Sequence, residues 1–305
     1  MSLELTILGS SSATPTLERH PSAQYINFLD HHILIDCGEG TQVQLLKYKI
    51  KKSRIDYIFI SHVHADHILG LPGLLFSMNL VHRSEPLYIF GPPSVFEILD
   101  LFFKHAETVL RFPLIKKLTS PDSIEIIFEN TLIKVKSFPL FHRVPTTGFI
   151  FEEQPRLRKL NIAACEKNHV PFTFYNDLKR GKDFISPDGK IIIENQSLTF
   201  DPLEPLNYAY ASDTIYDERV AKSVTEVNLL YHESTFLHDK LERATETMHS
   251  TAKQAGIIAA KAKVNKLLIG HFSTRYENLE ELLEETKTEF ENTELAVEGR
   301  KFVLE

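Results

Sequence analysis

The chain has 305 residues, 43% of them hydrophobic, and a formal net charge of -7. That size and apolar content suit one large domain or two modest ones around a sizeable core, which excludes a disordered chain and a small disulfide-stapled scaffold. No apolar run reaches membrane-span length, no basic-then-apolar leader opens the chain, and Cys37 and Cys165 stand alone, so a soluble, cytoplasmic protein with two inert thiols and no membrane partner is expected.

In chain order, Leu3–Leu8 alternates as a strand and enters a loop of small hydroxyl residues, Gly9–Thr16. Tyr25–Leu29 and His32–Asp36 read as a hairpin turning at Asp30 and His31. It ends in Asp36-Cys37-Gly38-Glu39-Gly40-Thr41-Gln42, a strand-to-helix turn, before a helix carrying Val43, Leu45, Leu46 and Tyr48. Ile55–Ile60 is apolar and β-branched, a buried strand, and Ser61-His62-Val63-His64-Ala65-Asp66-His67 follows directly. On a continuing strand His62 and His64 share one face, because side chains repeat every two residues. The pair can pinch one metal while Asp66 and His67 turn toward a second beside it. Ionisable groups so placed are costly to desolvate unless coordinated or paired, and nitrogen ligands with one carboxylate suit zinc.

The pattern continues with a buried helix over Leu69–Leu80, a strand at Leu87–Phe90, a helix over Ser94–His105, and a hairpin of Ser123–Phe128 with Thr131–Ser137 that leads to His142. Strands Leu206–Ala211, Asn228–Tyr231 and Lys266–Ile269 run into Asp213, Glu233 and His271, and Ser250 or Thr251 caps a helix over Ala252–Ala262. Ionisable residues thus recur at one end of strand after strand, as when an α/β core gathers a site from distant sequence. Between them, Glu152 to about Ser197 reads as a projecting insertion. Arg156–Lys182 holds seven Lys or Arg against two acids, interleaved with Phe172, Phe174 and Tyr175, whereas Glu277–Glu298 holds nine Glu and one Lys. Such asymmetry points to a nucleic-acid contact on the basic segment, although its aromatics would equally serve as the insertion's own core.

The His-x-His-x-Asp-His run is similar to the signature of the metallo-β-lactamase fold superfamily. Together with Asp36–Gln42 and the Met248-His249-Ser250-Thr251 segment, it makes the chain resemble ribonuclease Z, the tRNA 3'-processing branch, over nearly its whole length. The resemblance implies an α/β, four-layer αβ/βα sandwich with an inserted flexible arm: residues 1–151 and 198–305 as two halves, and 152–197 as a basic, tRNA-binding arm. It assigns His62, His64 and His142 to one Zn2+, Asp66, His67 and His271 to another, and Asp213 to both. It makes Asp66 the proton acceptor, places His249 at the scissile phosphate with Glu233 positioning it, and suggests Arg275, Arg158, Lys159, Lys179 and Arg180 as substrate contacts. The implied activity is zinc-dependent removal of the 3' trailer of precursor tRNA by a homodimer, leaving a tRNA 3'-hydroxyl and a trailer 5'-phosphate. Two departures stand out: His169-Val170-Pro171-Phe172-Thr173 where the family's arm has a Gly-Pro pair, and Glu298-Gly299-Arg300-Lys301 in place of a C-terminal basic motif. Other functions to weigh are a small-molecule phosphodiesterase, arylsulfatase or lactonase on the same metals, and a non-catalytic RNA-binding scaffold.

Overall fold

The computed structural model describes residues 2–305. The chain divides into two compact units, one formed by residues up to Glu152 with Leu206–Glu305, the other by Glu153–Pro205. In the first unit the strands are β1 (Leu3–Gly9), β2 (Ala23–Phe28), β3 (His31–Ile35), β4 (Tyr57–Phe59), β5 (Leu87–Gly91), β6 (Leu114–Leu118), β7 (Glu125–Glu129), β8 (Ile133–Leu140), β9 (Thr146–Glu153), β10 (Asn207–Ala211), β11 (Leu229–Glu233), β12 (Leu267–Gly270), β13 (Thr293–Leu295) and β14 (Lys301–Leu304). They form two seven-stranded sheets, ordered β14-β1-β2-β3-β4-β5-β6 and β13-β12-β11-β10-β9-β8-β7. The helices are α1 (Thr41–Lys47), α2 (Ala65–Ile68), α3 (Gly70–Leu80), α4 (Pro93–His105), α5 (Glu218–Ser223), α6 (Leu241–Thr247), α7 (Ala252–Ala262) and α8 (Glu280–Lys287).

Period-two alternation builds the layers. Leu3, Leu5, Ile7, Ile33, Ile35 and Phe59 face Val135, Phe149, Phe151, Tyr208, Tyr210 and Tyr231 in the core between the sheets. The alternate residues Leu8, Leu34, Ile58 and Ile60 pack outward under α1, α3 and α4 through Leu45, Leu71, Leu74, Leu75 and Leu99. On the far side Ala209, Ala211, Leu230 and Ile269 pack under α5, α7 and α8 through Val220, Ala255, Ile258 and Leu282. Both faces of both sheets are covered, so the central strands read as nearly continuous apolar runs. This is a four-layer αβ/βα sandwich.

The first hairpin turns one residue earlier than the sequence suggests. Phe28 pairs with His31, and Leu29 and Asp30 have φ of 52° and 65°, the positive pair that a two-residue hairpin loop requires. β6 and β9 were not foreseen. β9 is a central strand whose residues Thr146–Phe151 are all buried, but in sequence it starts inside a Pro-interrupted loop and ends on the acids that seemed to open the insertion. β4 stops at Phe59, so His62 and His64 lie on the loop beyond it rather than on the strand. Gly38 and Gly70 explain how that loop is clamped: a Cβ on Gly70 would lie 2.1 Å from the Gly38 carbonyl oxygen, and one on Gly38 2.4 Å from that of Asp66.

The second unit has its own core of Cys165, Val170, Leu178, Phe184 and Leu198, with Phe174 and Tyr175 packed on it. Phe172 is 79% exposed, so one aromatic of the three stays on the surface. Asn195 ties the fold by donating to the Leu178 and Lys182 carbonyls. Several cations are used internally: Arg156 pairs with Glu153, Arg158 with Asp201 and Thr199, and Lys182 with Asp177. Lys159, Lys179 and Arg180 form no ion pair among the described residues.

Candidate metal centre

The ionisable residues singled out in the sequence converge at one end of the two sheets. His62 and His64 follow β4, and α2 carries Asp66 and His67 one turn later. His142 follows β8, Asp213 follows β10 and His271 follows β12. Asp36, Asp213 and His271 take φ of 54°, 61° and 58°, a left-handed geometry that costs a non-glycine residue about 1–3 kcal/mol and persists where the surroundings over-determine it. Here it turns the chain sharply as each strand ends.

Three groups of ligand-type atoms result: His62, His64, His142 and Asp213; Asp66, His67 and His271; and Asp213, His249 and His271, with atoms in each group within 4.8 Å of one another. In the first, His64 Nδ1 lies 3.0 Å from His62 Nε2 and 3.1 Å from His142 Nε2, and Asp213 Oδ2 lies 3.5 and 3.6 Å from those two Nε2 atoms. In the second, Asp213 Oδ1 is 3.2 Å from both His67 Nε2 and His271 Nε2, and Asp66 Oδ2 is 3.6 and 3.3 Å from the same nitrogens. A tetrahedral zinc site with bonds of about 2.0–2.1 Å has edges of about 3.3–3.4 Å between ligand atoms. Both sets have that size, and the oxygens of Asp213 divide between them.

The outward-facing ring nitrogens of His62, His67, His142 and His271 are engaged, which fixes those imidazoles. His62 Nδ1 meets Ser61 Oγ at 3.0 Å, His142 Nδ1 donates to the Met248 carbonyl at 2.9 Å, and His271 Nδ1 meets Thr235 Oγ1 at 2.9 Å. His67 Nδ1 donates to Asp36 Oδ2 at 2.7 Å. His67 Nε2 is buried and has no hydrogen-bond partner, an orphan that a cation in the second set would satisfy. Electrostatics agree. Burial opposes charge on His67, yet Asp213, Asp66 and Asp36 together push its pKa well above the ordinary value. Burial likewise opposes ionisation of Asp213, but His271, His67 and His62 hold it well below the carboxylate range. Around His67 the field thus favours positive charge, whereas burial holds His62, His64 and His142 below the ordinary value, as neutral imidazoles able to ligate. The residues fit a pair of divalent cations.

His249 sits beside this cluster, its ring centroid 4.9 Å from that of His142 and 5.3 Å from that of His271. Its Nδ1 donates to Glu233 Oε1 at 2.9 Å. Burial lowers its pKa, but the Glu233 carboxylate outweighs that and pushes it up to about 9. Glu233 is fully buried and also accepts from Thr214 N and Thr235 Oγ1, so one carboxylate steadies both His249 and the hydroxyl against His271. Thr251 caps α7 through a capping box with Gln254. Arg275 lies over the Phe236 ring and donates to Ser273 Oγ, outside all three ligand groups. The buried thiols are inert, with burial pushing Cys37 up to about 12.

Three contributors escaped the sequence reading: Asp36, Ser61 and Thr235. Asp36 ends β3 as other ionisable residues end their strands and opens the Asp36–Gln42 motif, and those were its signals. Its buried carboxylate accepts from Ser61 N, Ser61 Oγ, His67 Nδ1 and Tyr210 Oη at 2.7–2.9 Å. Glu298, in the atypical C-terminal motif, is structural: it accepts from His20 N and Gln44 Nε2 and pairs with His20 Nδ1.

A family model described as Anti-Pycsar protein Apyc1 matches residues 3–293. Ribonuclease Z of Parabacteroides distasonis is 39% identical over 302 residues, covering 98% of both chains. The chain belongs to the ribonuclease Z family. As a member it is a hydrolytic endoribonuclease with the metallo-β-lactamase fold. The crystal structure of human tRNase Z, short form, superposes with a TM-score of 0.70 at 25% identity, covering 98% of each chain. The metallo-β-lactamase fold protein YhfI from Bacillus subtilis, 19% identical with a TM-score of 0.71 and 99% of each chain covered, shares the fold. No helix among the described residues is long and apolar enough to cross a membrane.

Proposed function

We propose that this ribonuclease Z family member is a zinc-dependent enzyme that removes the 3' trailer of precursor tRNA. The observation that carries the reading is the pair of tetrahedron-sized ligand sets sharing Asp213, with the His249–Glu233 pair beside them. Two Zn2+ ions, one held by His62, His64 and His142, the other by Asp66, His67 and His271, and both by Asp213, would supply an activated water and offset charge on the attacking and leaving oxygens. The chain's own groups do the rest. Asp66, whose Oδ2 also accepts from Ala13 N at 2.8 Å, takes the water proton and orients the attack. The phosphorus gains the water's oxygen as its bond to the 3'-oxygen breaks. His249, kept protonated by Glu233, gives its proton to that 3'-oxygen. The products are a tRNA 3'-hydroxyl and a trailer 5'-phosphate.

Residues 153–205 supply the substrate class: Lys159, Lys179 and Arg180 are cations without an internal partner, and exposed Phe172 offers a face for a base or sugar. Arg158 serves the unit's own fold instead. On the family pattern the arm of one subunit in a homodimer serves the other's centre. Hydrolysis of a small phosphodiester or sulfate ester would use the same ligands but not the arm, which separates the two readings. Replacing Lys159, Lys179 and Arg180 with Ala should weaken precursor binding and flatten its salt dependence by about 0.7–0.9 in log–log slope per lost phosphate contact. Turnover of bis-p-nitrophenyl phosphate should persist. An unchanged slope with unchanged precursor cleavage would remove the arm's role, and wild-type turnover of the small ester with no precursor cleavage would favour the small-substrate reading.

A further inference from the structure

A cavity of about 460 Å³ is lined by Ser123, Pro139, Phe141, Arg219 and Lys222 among others, including Asp122. It is tied to two ligand loops. Phe141 precedes His142, its N–H donates to Thr214 Oγ1 at 3.2 Å, and its carbonyl accepts from Ile215 N at 2.9 Å, just past Asp213. The Arg219 Cζ stands over the Phe141 ring, 3.7 Å from its centroid. Asp217 grips the guanidinium edge, accepting from Nε at 2.9 Å and Nη2 at 2.7 Å. The Arg219 side chain nevertheless remains 66% exposed. One face therefore rests on Phe141, the edge is held, and the other face is open. A planar group pre-organised in this way suits stacking by another planar group. Because Asp217 already balances its charge, Arg219 offers a surface more than a cation. Lys222, exposed and without an ion pair among the described residues, supplies the free cation at the same cavity.

We propose that this cavity is a subsite for an unpaired nucleobase flanking the cut, stacked on the open face of Arg219 with its adjoining phosphate at Lys222. This rests on the RNA reading above, and it deepens it by naming a base-dependent contact distinct from the arm. The steady-state test uses the metal-loaded enzyme, Arg219→Ala and Arg219→Lys, on a precursor tRNA and on versions with one abasic position at each of the three nucleotides on either side of the cut. Loss of one stacked base should raise KM about tenfold, with little change in kcat. The rise should vanish on the one abasic precursor that already lacks the stacked base, and the salt slope should stay that of the wild type. Lys, which lacks a plane, should not rescue. Lys222→Ala should instead reduce the slope by about 0.7. An Arg219→Ala effect equal on all precursors, or absent on all, overturns the proposal. If the wild type leaves the precursor uncut, the RNA reading fails separately. The subsite is then decided by NMR with cytidine 5'-monophosphate: saturable shifts of the Phe141 ring that Arg219→Ala abolishes support it, and their absence overturns it.

Discussion

Replacing Asp36 with Asn isolates the outer support of the metal centre without removing a ligand. Asp36 carries four hydrogen bonds at 2.7–2.9 Å, from Ser61 N, Ser61 Oγ, His67 Nδ1 and Tyr210 Oη. Asn tolerates the left-handed backbone at φ 54° as Asp does, so the fold of the turn is retained. Its single oxygen can keep Ser61 N, but its amide donors then face the donors of Tyr210 and His67. The charge-assisted bond to His67 is lost, worth about 1.5–3 kcal/mol, and the imidazole becomes a weaker, less fixed ligand. Metal affinity at the Asp66–His67–His271 set should fall about 10- to 100-fold. The His62–His64–His142 set, whose outer contacts are Ser61 and the Met248 carbonyl, should lose much less. Competition of a fluorescent chelator with the zinc-loaded protein resolves the two equivalents. Both affinities remaining within twofold of wild type would refute this account of Asp36.

Asp213→Ala removes the carboxylate whose oxygens divide between the sets, so both equivalents should weaken, whereas His64→Ala should weaken one; elemental analysis after dialysis distinguishes the outcomes. In chelated protein, His249 should titrate near 9 by NMR, because Glu233 stabilises its protonated form. Glu233→Gln should move it downward, and an unmoved titration would remove Glu233 as the cause.

Much of this was legible because it is local. Alternation marks Leu3–Leu8 and a continuous apolar run marks Ile55–Ile60 as strands, and the six positions His62–His67 hold two ligand-type residues of each set. The position of Asp213, His142 and His271 at strand ends was readable, but which atoms meet across 78 to 205 residues depends on sheet packing. Asp36 shows the limit: its partners Ser61, His67 and Tyr210 come from both sheets, and nothing in its neighbourhood names them. The basic segment shows another. Its charge count was right, yet Arg156, Arg158 and Lys182 are bound to Glu153, Asp201 and Asp177, leaving fewer cations for a partner than composition suggests. The aromatic run likewise divides, Phe174 and Tyr175 inward and Phe172 outward.

The most direct measurement is the mapping of products from an end-labelled precursor tRNA, with zinc and with a chelator. The account predicts a single cut at the trailer junction that requires metal, a tRNA ending in a 3'-hydroxyl, and a trailer beginning with a 5'-phosphate. Cleavage that persists in the chelator, or a tRNA product ending in a 2',3'-cyclic phosphate, would contradict it.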